Sequence, residues 1–131
     1  MTERPPSGMI YSRMSTPENL PETRLEFLQG TLDVLVLQRL KFGPMHAHGI
    51  AQWIEGSSAN DFVVEHGSLY PALQRLLQRG WIESHWDTSP NGRRARYYSL
   101  TTAGRKQVVH ATSRWQRFSD AMSRLLSTEE A

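Results

Sequence analysis

The chain has 131 residues, enough for one domain with a real core and too few for two full ones. It contains no cysteine, which excludes disulfides, thiolate metal sites and cysteine nucleophiles, and its apolar runs are too short to span a bilayer. The net charge is only +2, yet residues 1–70 carry five basic and eight acidic side chains against ten and five in residues 71–131, a sign asymmetry that points towards nucleic acid or another polyanion. Thirteen of the fifteen bases are arginine, the side chain best suited to phosphate and base edges. No basic stretch leads into an apolar segment at the N-terminus, so a cytoplasmic protein without a secretory signal is expected.

Residues 1–23 hold Pro5, Pro6, Pro17 and Pro21 among small and polar residues and read as a flexible N-terminal arm. The spacing of Leu25, Leu28, Leu32, Leu35, Val36 and Leu40 predicts a helix over 24–42. Val34 and Leu37 add a second apolar stripe, so this helix needs cover on more than one side. Gly43-Pro44 stops it. A shorter helix follows over 48–56 with Ile50, Trp53 and Ile54 inward, then a polar loop over 57–65.

The next helix spans 68–79. Ser68 is a suitable N-cap and Pro71 is tolerable in a first turn. At about 100° per residue, Leu69, Leu73, Leu76 and Leu77 share one face, and Tyr70, Gln74, Arg75 and Gln78 the opposite one. Gly80 fits the position just past the helix end. Strands are predicted over 81–87 and 94–100, joined by the turn Thr88-Ser89-Pro90-Asn91-Gly92, with Arg93, Arg94 and Arg96 just past its tip. Thr101 caps a final helix. Its apolar positions Val108, Ala111, Trp115, Phe118, Met122 and Leu125 repeat at intervals of three and four, an a/d seam.

This order gives a mostly α fold with a small β-hairpin: a winged helix-turn-helix with a C-terminal dimerisation helix. The arm occupies 1–23, the winged-helix domain 24–100 and the dimerisation helix 101–131. The chemistry suits double-stranded DNA. A major groove admits one helix, Arg75 can pair with guanine, and Gln74 and Gln78 can read adenine. Arg75 is therefore expected to set sequence preference. Ser68 and Tyr70 near the helix start can hold phosphate, and the three arginines can clamp the flanking backbone or enter the minor groove. Leu28 and Leu32 of the first helix, with the seam of the last, are expected to build a homodimer.

The runs Leu28-Gln29-Gly30-Thr31-Leu32-Asp33, His48-Gly49-Ile50, Gly67-Ser68-Leu69-Tyr70-Pro71-Ala72-Leu73 and Arg93-Arg94-Ala95-Arg96-Tyr97-Tyr98-Ser99-Leu100-Thr101-Thr102-Ala103-Gly104 resemble the PadR-like transcriptional regulators. The resemblance covers roughly residues 25–110. It implies a homodimeric bacterial DNA-binding regulator, usually a repressor and often released by a small molecule. The DNA contacts it implies fall on Ser68, Tyr70 and Pro71, and on the wing at Arg93, Arg94 and Arg96.

Other groups have simpler readings. His46, His48 and His66 lack metal-ligand spacing, so no metal and no cofactor is expected. Ser68, His66 and Asp61 make no nucleophile elbow, so no enzyme activity is expected. Trp115 fits a packed position in the dimer core, or a stacking surface for a ligand between subunits. Trp81 and Trp86 are expected to pack the wing, and Tyr97 or Trp86 can stack on one of the three arginines, so not all three need touch DNA. Two alternative functions use the same fold: a winged helix that docks onto another protein, and a small-molecule sensor with little DNA binding.

Overall fold

A computed structural model of the chain describes residues 30–127. The expected arm, Leu25 and Leu28 lie outside them. Within them α1 runs Thr31–Leu40, β1 Met45–His46, α2 Ala47–Ser57, α3 His66–Gln78, β2 Ile82–Thr88, β3 Arg94–Leu100 and α4 Thr102–Leu126.

The two apolar stripes of α1 are explained by its central place. Leu32, Val36, Leu37 and Leu40 are buried, and the helix touches α2, α3, α4 and β3. Leu69, Leu73 and Leu76 bring the inner face of α3 onto the same core, each worth about 1.5–3 kcal/mol in apolar burial.

Three local features differ from the sequence expectation. The first is β1. Met45 lies opposite Tyr98 and His46 opposite Tyr97, so the sheet has three strands in the order β1-β3-β2. A strand of two residues leaves no alternation to detect. His46 also caps α2, its Nδ1 accepting from the Gly49 amide at 2.9 Å, which gives this histidine a structural task.

The second is the start of α3. Glu65 is the N-cap, with extended backbone at φ −92 and ψ 139, and its carbonyl accepts from the Ser68 and Leu69 amides at 3.0 Å each. Ser68 is thus the third helical residue and not the cap. Pro71 correspondingly sits in the second turn, where it cannot donate to the Gly67 carbonyl. Gly67 is exposed, so water can take that place. The helix end agrees with expectation: Gly80 has φ 74, its amide donates to Leu77 at 3.0 Å and that of Trp81 to Leu76 at 3.1 Å. This pair of bonds is a Schellman motif.

The third is the seam of the last helix. Leu32, Val108 and Ala111 are buried within this chain, where α4 meets α1 and β3, so they are core residues of the protomer and not free for a partner. Trp115, Phe118, Met122 and Leu125 stay exposed.

The hairpin pairs from Ile82 opposite Leu100 to Thr88 opposite Arg94, and the Ser89 amide donates to the Arg93 carbonyl at 2.7 Å across its tip. Thr101 joins wing and helices. Its hydroxyl accepts from the Gly104 amide at 3.0 Å and donates to the Gly80 carbonyl at 2.6 Å, while its amide donates to Trp81 at 3.0 Å. A Cβ at position 104 would collide with the Trp81 carbonyl oxygen. That obstacle is backbone and cannot swing aside. Gly104→Ala is therefore expected to cost about 1–3 kcal/mol, read as a lower urea midpoint with an unchanged m-value.

Candidate nucleic-acid interface

A cleft of about 470 Å³ opens between the wing and the helices. Its wing side is built by Trp86 of β2, by Arg94, Arg96 and Tyr98 of β3, and by Ser89, Asn91 and Arg93 of the hairpin loop; its helical side by Ala47 and His48 at the start of α2 and Tyr70 of α3. Strand geometry explains the wing wall. Trp86 faces Arg96 across the ladder and Ser84 faces Tyr98, so with a period of two these side chains and Arg94 project from one face. The other face carries a ladder of rings, Tyr97 meeting His46 edge-on at 5.2 Å and stacking with His85 at 6.2 Å.

The cleft is rich in positive charge. Among the described residues, Arg93, Arg94 and Arg96 have no carboxylate within ion-pair distance. The Arg94 and Arg96 guanidiniums lie 5.4 and 5.2 Å from the centroid of the Trp86 ring, and Arg96 also donates to the Ser84 hydroxyl at 3.1 Å. Tyr98 lies at the floor, 6% exposed. Burial pushes its phenol pKa up, the Arg96 charge pulls it down and Tyr70 adds a smaller upward push, so the phenol is neutral and available as a donor. At the mouth His48 stacks on His66 at 6.4 Å, and His66 lies 6.2 Å from Tyr70. Among the described residues no group of three or more His, Asp or Glu could hold a metal ion.

Tyr70, Arg93, Arg94 and Arg96 thus meet in one cleft. Pro71, Gln74 and Gln78 are exposed on α3 and Ser68 is half-buried. Arg75 departs from the expectation of a free base-reading side chain. Its Nη2 and Nε donate to the two carboxylate oxygens of Asp33 at 2.7 and 3.3 Å, and Asp33 is 7% exposed. Arg79 approaches the same carboxylate at 3.8 Å. The Arg75 pKa is raised, chiefly by the hydrogen bond to Asp33, with burial opposing and the Asp33 charge adding. The reason for the difference is tertiary: the flank of α3 that carries Arg75 faces the first turn of α1.

Sequence reasoning missed Asp33, whereas for Trp86 it offered wing packing or a stack on one of the arginines, and the indole lies under both Arg94 and Arg96. Trp86 is 55% exposed and packs against the wing arginines, whereas Trp81 packs against the core. The signal for Trp86 was its place on the same strand face as the arginines. Nothing local marks Asp33 as the partner of a residue 42 positions away.

A polar helix face set beside an arginine-rich hairpin defines the class as a winged helix-turn-helix with an added C-terminal helix. The model of the family described as Transcriptional regulator PadR-like matches residues 36–110. The chain belongs to that family, the DNA-binding regulators of transcription. A PadR-like transcriptional regulator from Bacillus cereus is 24% identical and superposes with a TM-score of 0.69, covering 79% of this chain and 99% of that one. A PadR family transcriptional regulator from Eggerthella lenta is 28% identical with a TM-score of 0.65, covering 80% and 89%. A Lysinibacillus sphaericus relative, described as an uncharacterized protein, is 25% identical over 92 residues, 70% of this chain and 84% of its own length. No helix of the described residues is long and apolar enough to cross a membrane.

Proposed function

We propose that the chain is a sequence-specific repressor that binds a promoter operator as a homodimer. The observation that carries this reading is the cleft itself, where wing arginines with no carboxylate partner among the described residues stand across from the start of α3. In this reading the exposed face of α3 enters the major groove, with Gln74 and Gln78 reading bases, and Ser68, Tyr70 and Pro71 lying against the backbone at the helix start. Arg93, Arg94 and Arg96 hold flanking phosphates. Trp115, Phe118, Met122 and Leu125, exposed along α4, pair two copies and set the half-site spacing. A small-molecule effector that stacks on Trp115 between the subunits would release the operator.

The test is fluorescence anisotropy with labelled duplex from upstream of the protein's own gene, at several salt concentrations, against an unrelated competitor. Tight binding that resists the competitor and weakens steeply with salt is expected. Arg94→Ala should weaken binding to every duplex and lower the salt slope by about one. No binding even at low salt overturns the DNA reading and favours a winged helix that docks onto protein.

A further inference from the structure

We infer that Trp86 is a positioning residue of the DNA interface, its indole holding the Arg94 and Arg96 guanidiniums together on the cleft wall so that one stretch of phosphodiester meets both. The inference rests on the proposed DNA reading and goes beyond it, because Trp86 is a neutral side chain to which no contact with DNA has been assigned.

Three observations converge. Trp86 is 55% exposed, an unusual place for an indole that has no core to fill. Both guanidiniums lie over it, at 5.4 and 5.2 Å from its centroid, within the range at which a ring quadrupole attracts a cation. Neither arginine has a carboxylate partner among the described residues, so the indole and, for Arg96, the Ser84 hydroxyl at 3.1 Å are what orient them.

The physical problem at this wall is that two cations on neighbouring positions repel each other and two long side chains wander. Either effect weakens capture of a polyanion, the first by splaying the charges and the second through rotamer entropy lost on binding. A carboxylate would order both arginines but would cancel the charge that phosphate needs. An aromatic ring orders them and leaves the charge in place. The flat guanidinium suits this role because it can stack on the ring and still direct its N–H edge outwards. Lysine, a point charge with no plane, cannot do both.

The experiment compares Trp86→Leu, Trp86→Phe and the double variant Arg94→Lys/Arg96→Lys with the parent, by anisotropy on the same duplex over a salt series. Circular dichroism melting follows the fold. Trp86→Leu is expected to lose about tenfold in affinity with the salt slope unchanged, since both cations still reach phosphate. Trp86→Phe should recover most of the loss. The double lysine variant keeps the charge and should fall with Trp86→Leu. The inference is overturned if Trp86→Leu binds like the parent, or if Phe and Leu are equally impaired, which would mean that the indole touches DNA or props up the hairpin. Should Trp86→Leu fail to fold, the lysine pair decides alone, and parent-like binding by it overturns the inference. A parent chain that shows no salt-dependent binding to any duplex defeats the DNA reading instead, a result separate from all of these.

Discussion

Phe118→Glu is expected to convert the protein to a monomer and to weaken operator binding at least about a hundredfold. Trp115, Phe118, Met122 and Leu125 are 44, 54, 40 and 70% exposed, and they recur at steps of three and four along a helix of 25 residues. The Trp115 and Phe118 rings already touch, 5.4 Å between centroids. A row of large apolar side chains at that spacing matches the seam of a two-helix coil, and a partner helix removes it from water. Because position 118 faces solvent in the protomer, a glutamate there costs the winged-helix core little. The change lands on assembly: a carboxylate in the paired seam must be desolvated among apolar side chains.

The effect on DNA follows from linkage between half-sites. Once one winged helix is bound, a tethered partner binds its half-site as an intramolecular event, and the gain is about 10²–10⁴. A monomer forfeits it. Light scattering gives the mass, and anisotropy on one half-site against a whole operator separates the loss of avidity from damage to the interface. Half-site binding should be unchanged in Phe118→Glu. A variant that remains dimeric and binds the full operator like the parent would show that the exposed row of α4 is not the seam.

Legibility in the sequence followed the range of the interaction. The inner face of α3, the glycine at its end and the Thr101 cap are written within a few residues of one another, and the structure has them where local chemistry puts them. The four runs that resemble the PadR-like regulators lead to the same family that matches residues 36–110. The true cap of α3 was hidden because Ser68 has the better side chain for the role, while Glu65 serves through its backbone. The heptad of α4 reads as one continuous stripe from Val108 to Leu125. Its first two members are buried by this chain and its last four are not, and periodicity cannot say which chain supplies the cover. For the wing, alternation placed Trp86 beside the arginines without revealing that this face stays open to a cleft.

Arg75 is where position on a helix and position in the fold disagree most, and it supports the second large effect. Arg75→Ala is expected to destabilise the fold by about 2 kcal/mol and to leave base preference nearly intact. The Asp33 side chain is 10% exposed and that of Arg75 38%. Removing the arginine leaves a carboxylate out of water with only Arg79, at 3.8 Å, among the described residues. Breaking a fully buried pair costs about 3–5 kcal/mol; the openness of the arginine end to solvent reduces this one. Asp33→Asn should cost less, about 1 kcal/mol, since the amide keeps the shape and can still accept a hydrogen bond while the freed arginine reaches water. The sign of the pH effect follows from the raised Arg75 pKa. A cation whose pKa is raised on folding contributes its full stability below its ordinary value and loses it only above the raised one. The deficit of Arg75→Ala should therefore be constant from neutral through mildly alkaline pH, as measured by urea unfolding. Gln74→Ala and Gln78→Ala make the contrast: both residues are exposed, so stability should hardly move, while discrimination at the base each one reads should fall by about 1–3 kcal/mol in competition with single-base variants of the operator. An Arg75→Ala protein that is as stable as the parent and loses discrimination at a guanine would mean that Arg75 leaves Asp33 for DNA, and that the ion pair belongs to the free protein alone.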